Sequence, residues 1–227
     1  MTDVGGTRQD GRMPEIPALD DAAALWSGEP DGRPLLVLLH GYGSDERDLF
    51  ALTPHLPAGF AVAAVRAPLA PPFPAPGHSW YPIEGLEGRD ASWVTRAAER
   101  LIEWIDGVAG GATSVGLLGF SQGGAVSLQA LRLAPERFSF AVNLSGYATP
   151  GELPGDAELA ELRPPVFWGR GALDEVIPDP LVLHTTEWLP GHSDLVGRIY
   201  PDLRHAVSQQ ELADVQVFLE KRLARDD

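Results

Sequence analysis

Gly119-Phe120-Ser121-Gln122-Gly123 follows the run Ser114-Val115-Gly116-Leu117-Leu118 and leads into Gly124-Ala125-Val126-Ser127-Leu128-Gln129-Ala130-Leu131. The first flank is an apolar run of strand length and the second reads as a helix. The serine, with a glycine two residues to either side, therefore sits on a strand-to-helix turn, the context that makes G-x-S-x-G a nucleophile elbow. So tight a turn excludes side chains at the flanking positions, and glycine tolerates both the backbone angles and the close approach. The hydroxyl is raised above the carboxyl edge of a sheet, over the first amides of the next helix, where developing negative charge is favoured. The pentapeptide alone equally suits a glycine-rich turn whose serine merely caps the helix. The rest of the chain has to decide.

Outward from this turn, strand and helix signals alternate. Pro34 to Leu39 is a continuous apolar run, as expected of a strand covered on both faces. After it, Ser44 is expected to cap a helix with Asp45 and Glu46 in its first turn and Leu49, Leu52 and Leu56 along one side. Phe60–Val65, Phe138–Leu144, Pro165–Trp168 and Leu195–Tyr200 read as further strands. Asp90 is placed to cap a long amphipathic helix carrying Trp93, Ala97, Leu101, Trp104, Ile105 and Val108, ended by Gly110-Gly111. Asp179-Pro180 starts a helix towards Leu189, and Ser208-Gln209-Gln210-Glu211 is a capping box opening the last one. The proline-rich stretches 67–76 and 148–165 read as surface loop and excursion, the second too short for a cap domain. The alternation predicts an α/β fold: a mostly parallel, doubly wound sheet with helices on both faces and no large cap.

The 227 residues, 44% of them hydrophobic, suit one such domain, expected over 16–227 behind a disordered polar leader at 1–15. No apolar run reaches membrane-spanning length and the leader lacks an apolar core, so stable membrane insertion is not expected and a cytoplasmic location is the default. The chain has no cysteine, which excludes disulfides, thiolate metal sites and a cysteine nucleophile. A formal charge of −15 argues against nucleic acid and anionic membranes as partners. A single lysine, Lys221, leaves no G-K-[ST] for a phosphate-binding loop. The oligomeric state stays open between monomer and homodimer.

A serine is a poor nucleophile until a base, itself oriented by a third group, takes its proton. In hydrolases of this topology the chain order is Ser, acid, His. Three histidines follow Ser121. His184 falls within a helix and His192 in a turn before a strand, whereas His205 lies in a loop after the last strand, on the rim that carries Ser121. For the acid, Asp174 ends a strand expected beside the one feeding His205; Asp202 is the serious rival, and Glu175 and Asp179 follow. The tetrahedral oxygen needs backbone donors. One should be the amide of Gln122, and Tyr42 or Gly43 in Leu39-His40-Gly41-Tyr42-Gly43 should supply the other. A dinucleotide fingerprint fails there, because Glu46 occupies the third glycine's place and would face a pyrophosphate.

With Leu38-Leu39-His40-Gly41-Tyr42-Gly43-Ser44-Asp45-Glu46-Arg47-Asp48-Leu49, Ser79-Trp80-Tyr81, Gly119-Phe120-Ser121-Gln122-Gly123-Gly124, Leu144-Ser145-Gly146-Tyr147, Gly171 to Pro178 and His205 in order, the sequence resembles the phospholipase/carboxylesterase family of α/β hydrolases. Its eukaryotic relatives are acyl-protein thioesterases. The resemblance implies Ser121, Asp174 and His205 as a catalytic triad, Tyr42 and Gln122 as oxyanion donors, and hydrolysis of small-molecule carboxylic esters without cofactor or metal. Short- to medium-chain esters are expected, with thioesters and lysophospholipids as further candidates. Trp80, Tyr81 and Trp168 are candidates for an apolar acyl groove. A haloperoxidase, lactonase or acyltransferase on the same triad, or a silent binding relative, are the alternatives.

Overall fold

The computed structural model describes residues 15–72, 74–83 and 91–224. Residues 1–14 of the leader and Asp90, expected to cap a helix, lie outside the described residues. Among the described residues, seven strands form one sheet: β1 (Leu25–Trp26), β2 (Leu35–Leu39), β3 (Ala61–Val65), β4 (Val115–Phe120), β5 (Phe140–Leu144), β6 (Pro165–Gly171) and β7 (Asp194–Tyr200). Their order is β1-β3-β2-β4-β5-β6-β7, parallel throughout except for β1 against β3. Six α-helices are described: α1 (Glu46–Phe50), α2 (Ala91–Val108), α3 (Gln122–Leu133), α4 (Asp156–Leu162), α5 (Asp179–His192) and α6 (Gln209–Leu223).

The central strands read as unbroken apolar runs because both faces are covered. Alternate residues divide between two cores. Leu35, Val37, Leu39, Leu117, Ala141 and Val166 pack on the side of α2 and α3. Leu36, Leu38, Leu118, Val142 and Phe167 pack on the side of α1 and α6, against Leu49, Val215, Phe218 and Leu219. The chain runs from β2 outward to β3, then crosses back so that β4 pairs with β2 on its other side. This reversal opens a crevice beyond the carboxyl ends of β2 and β4, where open α/β sheets bind ligands. Leu39 pairs with Gly119, which sets the loop after β2 beside the serine turn. β6 and β7 also pair directly, with Gly171 opposite Tyr200, so their following loops are neighbours.

Several local expectations need correction. The cap of α1 is Asp45, whose carboxylate accepts from the Arg47 amide, while the Ser44 hydroxyl donates to Asp48 instead. α1 stops at Phe50, and Leu52 and Leu56 follow in a short 3-10 segment and its flanks. The stretch 148–165 contains α4. His192 is the last residue of α5 rather than part of a turn, and its ring stacks on Trp188 at 3.9 Å. Asp179 is the first residue of α5, and no side chain caps that helix. β6 extends to Gly171, three residues past the expected end. The capping box is half made: the Ser208 hydroxyl accepts from the Glu211 amide at 3.1 Å, but neither Glu211 carboxyl oxygen has a hydrogen-bond partner.

Candidate active site

The serine turn is strained and its glycines explain why it survives. Ser121 has φ 54° and ψ −115°, a conformation that side-chain-bearing residues rarely adopt. A Cβ on Gly119 would strike the Gly123 carbonyl, and one on Gly123 would strike the Leu39 carbonyl. The Ser121 amide donates to the Leu144 carbonyl at 2.8 Å, tying the turn to the end of β5. Ser121 precedes α3 yet makes no side-chain capping bond. Its hydroxyl is committed elsewhere: Oγ lies 2.8 Å from His205 Nε2. The helix-cap reading of the pentapeptide fails on this observation.

His205 Nδ1 lies 2.7 Å from Asp174 Oδ2. A carboxylate can only accept, so Nδ1 carries the ring proton and Nε2 is left as acceptor for the serine O–H. Asp174 is held in turn, its Oδ1 accepting from the Val176 and Ile177 amides at 2.9 and 3.3 Å. The two loops are joined by backbone bonds, Ala172 N–H to Tyr200 O and Leu173 N–H to Leu203 O, both 2.9 Å. Gly171 allows that approach, since any Cβ there would meet the Leu203 carbonyl. Asp202 is exposed and takes no part, and His184 bonds instead to the Thr149 carbonyl at 3.2 Å.

On the other side of the serine stands the loop after β2. The Gly43 amide donates to the His78 carbonyl at 2.9 Å, so it is spent. The Tyr42 amide makes no hydrogen bond among the described residues, which separates the two candidates left open by the sequence. The peptide before it is clamped: the Gly41 carbonyl receives His40 Nδ1 at 2.7 Å and the Ser44 amide at 3.3 Å. Because a trans peptide sets its N–H opposite its C=O, the Tyr42 amide points away from these donors. His40 Nε2 accepts from the Ala67 amide at 3.1 Å, and its own carbonyl accepts from the Trp80 indole at 2.9 Å. Burial lowers the His40 pKa, so the ring stays neutral and keeps the tautomer this clamp requires. The sequence alone assigned His40 no role. The signal was its place between β2 and the two glycines.

Gln122 begins α3, so its amide is one of the unpaired donors of a helix N-terminus. Its side chain anchors the Ser79-Trp80-Tyr81 segment, accepting from the Trp80 amide at 2.8 Å and donating to the Tyr81 carbonyl at 2.7 Å. Tyr81 is thereby brought to the site, where its hydroxyl meets that of Tyr147 at 2.7 Å. A cavity of about 290 Å³ lies over Ser121 and His205, walled by Tyr42, Tyr81, Ile83, Phe120 and Val176, with Gly41, Gln122, Ser44 and Asp48 completing it. Of the three aromatic residues expected in the groove, only Tyr81 lines it. Trp80 is wholly buried behind the β2 loop, and Trp168 packs in the core with its indole on the Gly146 carbonyl at 3.3 Å. The Gln122 side chain holds the Trp80 amide and the Tyr81 carbonyl, and so fixes which of the two neighbouring rings reaches the cavity.

Residues 21–223 match the model of the phospholipase/carboxylesterase family. The chain belongs to that family. It is similar to acyl-protein thioesterase 1 of Debaryomyces hansenii, 34% identical over 110 residues that make up 47% of this chain and 47% of the relative. The match thus spans about half the length of that thioesterase. A probable carboxylesterase of Oryza sativa subsp. japonica is 27% identical over 217 residues, covering 84% of this chain and 88% of the relative. Among solved structures, the esterase PE8 superposes with a TM-score of 0.71 at 25% identity, covering 90% of this chain and 99% of that one.

Proposed function

We propose that the protein is a serine carboxylesterase that hydrolyses short- to medium-chain carboxylic esters through an acyl-enzyme. One observation carries this reading: an unbroken hydrogen-bonded chain, Ser121 hydroxyl to His205 to Asp174, opens onto an apolar-walled cavity at the sheet's switch point. His205 Nε2 takes the serine proton as Oγ attacks the ester carbonyl carbon, and the carbonyl π electrons move onto oxygen. The Tyr42 and Gln122 amides are the donors available to that oxyanion. Collapse of the intermediate expels the alkoxide, which takes the proton back from His205 and leaves as the alcohol. Water then attacks the acyl-serine by the same route, releasing the acid and restoring Ser121. Asp174 keeps the ring tautomer and stabilises the imidazolium. Each step draws on these groups and water alone.

The cavity sits at the lower end of the range for small-molecule sites, which sets the expected acyl length. Nitrophenyl esters from acetate to palmitate, with thioester counterparts, test the reading. Turnover should peak among the short and medium acyl chains and fall steeply at palmitate. Failure of the folded protein to hydrolyse any member contradicts the esterase reading, and a maximum at palmitate contradicts the chain-length reading.

A further inference from the structure

Among the described residues, Asp48 is the one carboxylate on the wall of the cavity that lies over Ser121. It projects from α1 and is held there by the Ser44 hydroxyl, which donates to Oδ2 at 2.8 Å. It forms no ion pair among the described residues. The neighbouring cations are engaged elsewhere, Arg47 with Asp45 at 3.6 Å and Arg66 with Glu46 at 2.6 Å. No lysine or arginine lines the cavity among the described residues. Its one imidazole, His205, is already matched by the Asp174 carboxylate. Tyr42, Tyr81 and Phe120 supply the aromatic part of the same walls. Aromatic rings beside an uncompensated carboxylate are the chemistry that recognises an ammonium group, through attraction to the ring faces and direct charge pairing.

We propose that this cavity selects substrates by charge, preferring esters that carry an ammonium group close to the carbonyl, with Asp48 as the residue that sets the preference. This deepens the esterase reading and rests on it. The long-range field acts in the same sense, because the chain carries a formal charge of −15 and draws cations towards its clefts. A carboxylate on the substrate would meet Asp48 with no lysine or arginine among the described lining residues to offset it.

Three butyrate esters of matched size separate charge from shape: choline butyrate, its neutral isostere 3,3-dimethylbutyl butyrate, and the anionic 3-sulfopropyl butyrate. With acid release followed at low ionic strength, kcat/KM should fall in that order by about fivefold per step, as expected for one partly solvated charge contact. Raising the salt concentration should compress the series. In Asp48→Asn the ratio of choline ester to neutral ester should fall towards one, whereas Asp48→Glu should retain most of it. A wild-type ratio at or below one, or a ratio that Asp48→Asn leaves unaltered, overturns the proposal while the esterase reading stands. If none of the three esters is hydrolysed by folded protein, the esterase reading itself fails and takes this one with it. The salt series needs only the wild type, so a preference that salt leaves uncompressed overturns the proposal even if Asp48→Asn does not fold.

Discussion

Asp174→Asn should lower kcat on a neutral short-chain ester by about 10³–10⁴-fold with little change in the fold. An amide at position 174 presents either its N–H₂ or its carbonyl to His205. It cannot both match the ring's Nδ1–H and stabilise a developing imidazolium. The Val176 and Ile177 amides, which now bond to Asp174 Oδ1, would bias the amide oxygen towards themselves and turn the N–H₂ towards His205. That orientation forces Nδ1 to accept and leaves Nε2 protonated, so it can no longer take the serine proton. Asp202→Asn, in a neighbouring exposed loop just past the end of the β6–β7 pairing, should leave kcat within a factor of about two. Steady-state kinetics on the two variants, with circular dichroism to check folding, decide between the carboxylates. Equal losses in both variants, or a larger loss in Asp202→Asn, would reassign the acid.

The second large effect concerns stability. Glu211 sits in the first turn of α6 with no solvent exposure, its carboxyl packed against the backbone of Gly169. Burial pushes its pKa up to about 7; the backbone at Ser208 opposes the rise and Asp214 adds to it. The folded protein therefore holds a proton that the unfolded chain, with an ordinary glutamate pKa of 4.5, releases earlier. Between those values the native state binds more protons than the unfolded state, so the Glu211 contribution to stability declines as pH rises from 4.5 to about 7. It is fully present below the lower value and lost above the upper one. The difference corresponds to about 3 kcal/mol. Glu211→Gln, neutral at every pH, should match the wild type near pH 4.5 and exceed it by up to about 3 kcal/mol at pH 8. Urea unfolding at a series of pH values measures this. Parallel stability profiles for the two proteins would show that Glu211 ionises without penalty.

How far the sequence could be read follows from how local each signal is. The serine turn was legible because backbone packed against both flanks of the strained Ser121 leaves no room for a Cβ at Gly119 or Gly123, and that requirement is written into five consecutive residues. The buried strands were legible as apolar runs for the same kind of reason: both faces are covered, so every residue must be apolar. β1 was not legible, since two residues at an antiparallel edge carry no periodicity. Ser44 and Asp45 are both good caps, and only the geometry shows that Asp45 takes the role while Ser44 turns to Asp48. The choice between Tyr42 and Gly43 likewise depended on a distant partner, the His78 carbonyl that holds the Gly43 amide, which no local pattern announces. Trp80 and Tyr81 look alike as neighbours in the chain, but the Gln122 side chain fixes the segment so that one faces the core and the other the cavity. The capping box was legible only as a sequence pattern. The Glu211 carboxyl packs against the bare backbone of Gly169, a contact that no local pattern announces.

The central claim is that Ser121 is a nucleophile made reactive by His205 and Asp174. A fluorophosphonate reports on this directly, because it phosphonylates a serine only where a base removes the hydroxyl proton and donors receive the developing oxyanion. Intact-mass measurement after brief exposure at neutral pH should show one adduct per chain, and peptide mapping should place it on Ser121. A folded protein that gains no adduct, or carries it on another residue while Ser121 stays free, would contradict the account.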